Sequence, residues 1–151
     1  MSREIDALIA EHVFNLNVMR REVVTIDGGL CGVDSLPWMP GVETPRRGVM
    51  TWVIPGGPGD YQELPRFSST WEGMGRVVEA MHGRGWWCRI TSPFSAKDGD
   101  LWGGGLTPHE TTGWNGRPDH TGSGASAPEA VARAALAALR VPLPEGVTDE
   151  R

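Results

Sequence analysis

The chain has 151 residues, of which 39% are hydrophobic, which suits one domain with a modest core and excludes intrinsic disorder by composition. A formal net charge of −5 disfavours a broad surface for nucleic acid, and two cysteines, Cys31 and Cys88, are too few for a disulfide framework. No apolar run approaches the roughly 20 residues that span a bilayer, and the opening Met1-Ser2-Arg3-Glu4-Ile5-Asp6 is charged rather than export-like, so a cytosolic protein without a membrane partner is expected.

The first helix is expected from Ser2 to about Leu16. Ser2 can cap it, Glu4 and Asp6 suit the positive end of the helix dipole, and Ile5, Leu8, Ile9 and Val13 form one apolar stripe. His12 sits beside that stripe. Arg21 to Ile26 reads as a strand stopped by Asp27-Gly28-Gly29. Leu30 to Gly48 reads as irregular because Pro37, Pro40 and Pro45 interrupt it. Arg46-Arg47 within it reads as a solvated pair. Val49 to Ile54 has the β-branched content of a strand. The Gly-rich run Pro55 to Asp60 that follows lacks the Gly-Lys-Ser/Thr ending of a phosphate loop and the fingerprint of a dinucleotide site.

The best-defined stretch is Ser68 to Thr91. Hydroxyl residues precede Glu72, which marks a helix start. Trp71, Met74, Val78 and Met81 recur at helical spacing and predict one buried face. Gly83 and Gly85 can end the helix, and Trp86 to Thr91 then reads as a strand. Pro93 to Gly124 is expected to be irregular, with Leu101-Trp102 a short strand ended by Gly103-Gly104-Gly105. The last helix is expected over Pro128 to Leu139. Ser126-Ala127-Pro128-Glu129 is its capping box, and its alanines would permit close packing on a sheet. Pro142 and Pro144 stop it, and the tail to Arg151 is expected to fray.

Three segments in this order resemble the phage ABA-sandwich domain family. They are Met1 to Glu11, Pro65-Arg66-Phe67-Ser68-Ser69 followed by Val77-Val78-Glu79, and Ala127-Pro128-Glu129-Ala130 with its alanine-rich helix. Family members usually carry an acidic residue where Thr70 stands and a bulky aromatic where Gly75 stands. The resemblance implies a small phage protein and transfers no catalytic residue. One-sided helices and short strands also require a sheet covered by helices. The expected fold is therefore α/β: a single three-layer α/β/α sandwich over residues 1–141, with extra loop at about 28–48 and 103–124, and a flexible tail at 142–151.

No residue set announces a reaction. His109, Glu110, Asp119 and His120 have the wrong spacing for His-Glu-x-x-His, and no Gly-x-Ser-x-Gly elbow is present. A non-enzymatic protein with no catalytic residues, no resident metal and no cofactor is expected. A phosphodiesterase or metal-dependent hydrolase built on those four residues is the less favoured reading. Seven Trp against one Tyr and three Phe is unusual, and Trp offers a rigid face to flat ligands. The expected ligand is a small nucleotide-like molecule, such as a nucleotide-derived host immune signal that a phage protein would sequester in the bacterial cytosol. Trp86, Trp87 and Trp102, with Trp114, would stack its base. The helix start at Ser68 and Ser69 would meet its phosphate, and Arg66, Arg89 and Lys97 would neutralise it. The alternative is an accessory factor that binds a host or phage protein through Trp-rich loops, since Trp and Arg dominate interface hot spots. A homo-oligomer through a sheet edge or the alanine-rich helix is also open.

Overall fold

The computed structural model describes residues 2–26, 28–33, 48–56, 59–93, 101–109 and 119–143. Arg46, Arg47, Lys97, Glu110 and Trp114 lie outside the described residues, as does the tail from 144 onward. The chain divides into two compact units, Met1–Asn15 with Pro65–Arg151, and Leu16–Leu64.

The larger unit holds three helices, α1 (Ser2–His12), α2 (Trp71–Gly83) and α3 (Ala127–Ala138), and three strands, β5 (Trp86–Thr91), β6 (Trp102–Pro108) and β7 (His120–Gly124). The strands form an antiparallel sheet in the order β5-β6-β7. Facing pairs are Trp87 with Thr107, Arg89 with Gly105, and Leu106 with both Cys88 and His120. Paired residues share a sheet face and successive residues alternate, so Trp86, Cys88, Trp102, Leu106 and His120 lie on one face. Trp87, Arg89, Thr107 and Thr121 lie on the other.

Helix α3 lies on the first face, and glycines let it come close. A Cβ on Gly104 would stand 2.6 Å from the Ala130 carbonyl oxygen, and one on Gly122 would stand 2.5 Å from the Ala134 nitrogen. Helix α3 is buried on the sheet side and also at Val131, Ala132, Ala135 and Leu136, because α1 and α2 pack against it. The starts of α2 and α3 are fixed locally. Thr70 Oγ1 accepts the Gly73 N–H at 3.0 Å, and Ser126 Oγ accepts that of Glu129 at 3.4 Å. The Glu129 carboxylate accepts the Ala125 N–H at 3.1 Å, one residue before the Ser126 cap. Asp6 of α1 is fully buried; it accepts the Ser68 N–H at 2.7 Å and an Arg3 Nη1 bond at 2.9 Å. Phe14 and Phe67 stack at 4.8 Å, with the Arg76 guanidinium 5.5 Å and 5.3 Å from their ring centres.

The smaller unit is built from β1 (Met19–Ile26), β2 (Gly29–Gly32), β3 (Val49–Pro55) and β4 (Tyr61–Glu63), closed into a four-stranded antiparallel ring in the order β1-β2-β4-β3. Ile26 pairs with Gly29, and Gly28 takes φ +80°. Val23, Val53, Ile54 and Leu64 are its buried apolar residues.

The expected three-layer α/β/α sandwich is therefore corrected. It requires one sheet with helices on both faces, whereas the strands here are antiparallel and divide between a three-stranded sheet and a small closed ring. The reason is packing: α1 and α2 stack on α3 rather than on the far side of the sheet. Three local expectations change with it. The Gly103-Gly104-Gly105 run continues β6 instead of ending it. The segment around His120 is a strand, and so are Gly29–Gly32 and Tyr61–Glu63. The buried face of α2 is Gly73, Met74, Val77 and Met81, while Trp71 is 61% exposed.

Candidate functional site

The turn between α2 and β5 assembles the most distinctive side-chain group among the described residues. Gly85 takes φ +95°, a conformation that costs a glycine no Cβ clash, and this reverses the chain directly into β5. Its N–H donates to the His82 carbonyl at 3.0 Å, and its carbonyl accepts the His109 N–H at 2.8 Å. One residue thus ties the end of α2 to the residue just beyond β6. Arg84, at the helix end, donates from Nη2 to the Val13 carbonyl at 2.6 Å and anchors the turn to the end of α1.

Three aromatic rings meet at this turn. Trp87 lies 4.4 Å from His109 and 5.1 Å from His82, and the two imidazoles are 4.8 Å apart, all between ring centroids. His82 and His109 are exposed, and Trp87 is 46% exposed. A solvent-facing indole flanked by two imidazoles offers a flat stacking surface bordered by nitrogen donors and acceptors. Arg89 and Thr107 extend the same sheet face.

The predicted site residues do not converge on one point. Trp87 and Arg89 share the face just described. Trp86 and Trp102 lie on the α3 side, where Trp86 meets His120 edge-on at 5.3 Å and Trp102 meets Trp71 edge-on at 6.0 Å. Ser68 is buried with its N–H given to Asp6, so a carboxylate stands where a phosphate was expected. Ser69 and Arg66 are exposed, and the Arg66 carbonyl accepts the Thr70 hydroxyl at 2.7 Å. His109 and His120 belong to different ring clusters, Asp119 is exposed, and no group of three or more His, Cys, Asp or Glu among the described residues is placed to hold a metal. Cys88 is on the helix-covered face, where burial pushes its thiol pKa up; it is not an activated nucleophile.

Sequence reasoning missed His82. It is a helix-end residue with no motif around it, and its nearness to His109 depends on the Gly85 turn. The available signal was the Gly-Arg-Gly sequence after His82, which places the helix end beside the first strand residues.

No protein-family model matches the chain, and no curated protein does. The fold is similar to the solved structure of a phage protein from Bacillus cereus ATCC 14579, with a TM-score of 0.54 and 17% sequence identity, covering 95% of this chain and 92% of that one. The ABA-sandwich family assignment thus has no matching family model behind it, and the likeness bears on the fold. No helix among the described residues is long and apolar enough to cross a membrane.

Proposed function

We propose that this is a phage-encoded, non-enzymatic binding protein that holds a small, flat, anionic ligand of the nucleotide type on the exposed face of Trp87, beside His82 and His109. The observation that carries the reading is the exposed three-ring cluster at the Gly85 turn. An aromatic face this accessible stacks a base without demanding a sequence, and imidazoles beside it donate to phosphate oxygens. Phage origin is supported by the fold shared with the Bacillus cereus phage protein. The biological role would be sequestration of a nucleotide-derived host signal in the bacterial cytosol.

The test is native mass spectrometry of the protein from cells making nucleotide immune signals, followed by heat release. A stoichiometric nucleotide that emerges intact, and whose affinity falls on the order of tenfold in Trp87→Ala, is the expected result; one stacked base accounts for about 1–3 kcal/mol. Trp86→Phe should leave affinity unchanged, because Trp86 lies on the opposite sheet face. Release of a cleaved product would replace sequestration with catalysis.

A second reading rests on a different surface. Trp71 is 61% exposed and Ile90 40%, with Trp71 against Trp102, so the helix side of the larger unit leaves apolar side chains uncovered. Such residues are the material of protein interfaces. A protein partner lost on Trp71→Ala and retained on Trp87→Ala would favour an accessory factor over a ligand sponge.

A further inference from the structure

We infer that His82 and His109 form a two-imidazole site for a divalent transition-metal ion, and that the ion links the protein to the anionic part of the ligand. The metal site stands independently of the ligand-binding reading; the link to the ligand rests on it.

Separation is the first support. Two imidazoles that bind one ion through nitrogen at about 2.0–2.1 Å place their ring centres about 3.2 Å from it, hence about 5 Å from each other at near-tetrahedral angles. The His82 and His109 centroids are 4.8 Å apart. Rotation of either ring about its Cβ–Cγ bond redirects the nitrogens while the centroid stays close to that axis, so the spacing survives the adjustment. The second support is rigidity. Gly85 hydrogen-bonds the backbones of both residues, at 3.0 Å and 2.8 Å, so the pair is held before any ion arrives. The third is access, since both side chains are exposed.

The ligand type selects the metal. Imidazole suits zinc, copper and nickel, whereas magnesium and calcium prefer oxygen ligands. Two protein ligands leave coordination positions open, and a phosphate oxygen is a suitable occupant. With no third His, Cys, Asp or Glu grouped here among the described residues, the ion is exchangeable rather than structural. Trp87, 4.4 Å from His109, is placed to report on it through quenching of its fluorescence by copper.

The experiment is titration of tag-free protein with Zn²⁺ and Cu²⁺, with Mg²⁺ as control, by calorimetry and Trp fluorescence. His82→Ala and His109→Ala should each lower affinity on the order of tenfold or more, since losing a ligand costs at least what losing a ligand's outer support does. The double variant should be weaker than either single one but by less than the sum of the two losses, because both ligands serve one ion. His120→Ala should behave as wild type, and Trp87→Phe should remove most of the copper quenching while leaving the affinity in place. Circular dichroism checks that each variant is folded. Zn²⁺ and Cu²⁺ affinities that survive both single substitutions would overturn the site. Titrating the protein with a set of nucleotides, once with Zn²⁺ and once with chelator, separates the two readings. Nucleotide affinity that rises with Zn²⁺ supports the link. Affinity indifferent to chelator removes the link and leaves the ligand reading intact, whereas metal binding with no nucleotide bound in either condition removes the ligand reading and leaves the metal site.

Discussion

At the scale of single residues, Asp6 concentrates the most structure in the fewest atoms. It is fully buried and serves the Ser68 N–H and the Arg3 guanidinium at once, so it fixes the approach of the chain to α2. Asp6→Ala strands a buried N–H and should cost about 2–3 kcal/mol in urea unfolding, with Asp6→Asn costing less because one acceptor remains. A loss under 0.5 kcal/mol would mean that water replaces the carboxylate. The glycines divide by what surrounds them. Gly104→Ala drives a methyl into the α3 backbone at 2.6 Å and should destabilise by about 1–3 kcal/mol or more. Gly75 lies exposed within α2 with nothing within 4 Å of an added Cβ, so Gly75→Ala should stabilise by about 0.5–1 kcal/mol. Opposite signs in one thermal-melt series would confirm the packing; equal signs would refute it. Cys88 has a thiol pKa raised by burial. The stability this burial contributes is present below the ordinary thiol range and is lost as pH rises through the folded-state value. Wild-type melting temperature should therefore fall more steeply above the ordinary thiol range than that of Cys88→Ser, and Cys88 should alkylate slowly at neutral pH.

At the scale of elements, α2 shows how local chemistry and tertiary packing share a helix. Its start belongs to Thr70, whose hydroxyl accepts from Gly73 and donates to the Arg66 carbonyl. Thr70→Ala should cost about 1 kcal/mol, and Thr70→Asp should retain most of the stability, because either side chain offers an oxygen to the same N–H. Loss of equal size in both variants would point to the Arg66 contact instead of the cap. The helix end works differently: Gly85 rather than Gly83 takes the positive φ, which sets where β5 begins and brings Trp87 to His82 and His109. Between α3 and the sheet, small residues on both sides replace interdigitating side chains with backbone-to-backbone approach, as the Gly104–Ala130 and Gly122–Ala134 distances show.

At the scale of the whole molecule, the two units differ in how they are held. The larger one buries α3 between a sheet and two helices, whereas Leu16–Leu64 has four short strands and a small apolar core. Small cores supply little stability on their own. Hydrogen exchange should therefore find the slowest amides in α3 and its neighbouring strands, and faster exchange across β1–β4. Protection of β1–β4 equal to that of α3 would show that the two units unfold as one. The expected α/β/α sandwich fails at this same scale. The three helices were foreseen and α3 does cover a sheet, but the other two helices found their partner in α3.

What the sequence by itself determined is local. Capping hydroxyls, apolar spacing and β-branched runs placed all three helices and the strands at Arg21–Ile26, Val49–Ile54 and Trp86–Thr91 within a few residues, because those signals act within one or two turns of chain. What only the tertiary structure decided depends on contacts that are distant in sequence. β6 and β7 are strands despite the glycines at 103–105, 122 and 124. A glycine has no side chain to announce its state, and at 104, 122 and 124 it leaves room for α3. The candidate site divides in the same way. Trp87 and Arg89 could be named from composition and spacing. That Trp86 and Trp102 would turn to the helix side, that Asp6 would occupy the Ser68 N–H, and that His82 would meet His109 were set by strand register and by one glycine turn.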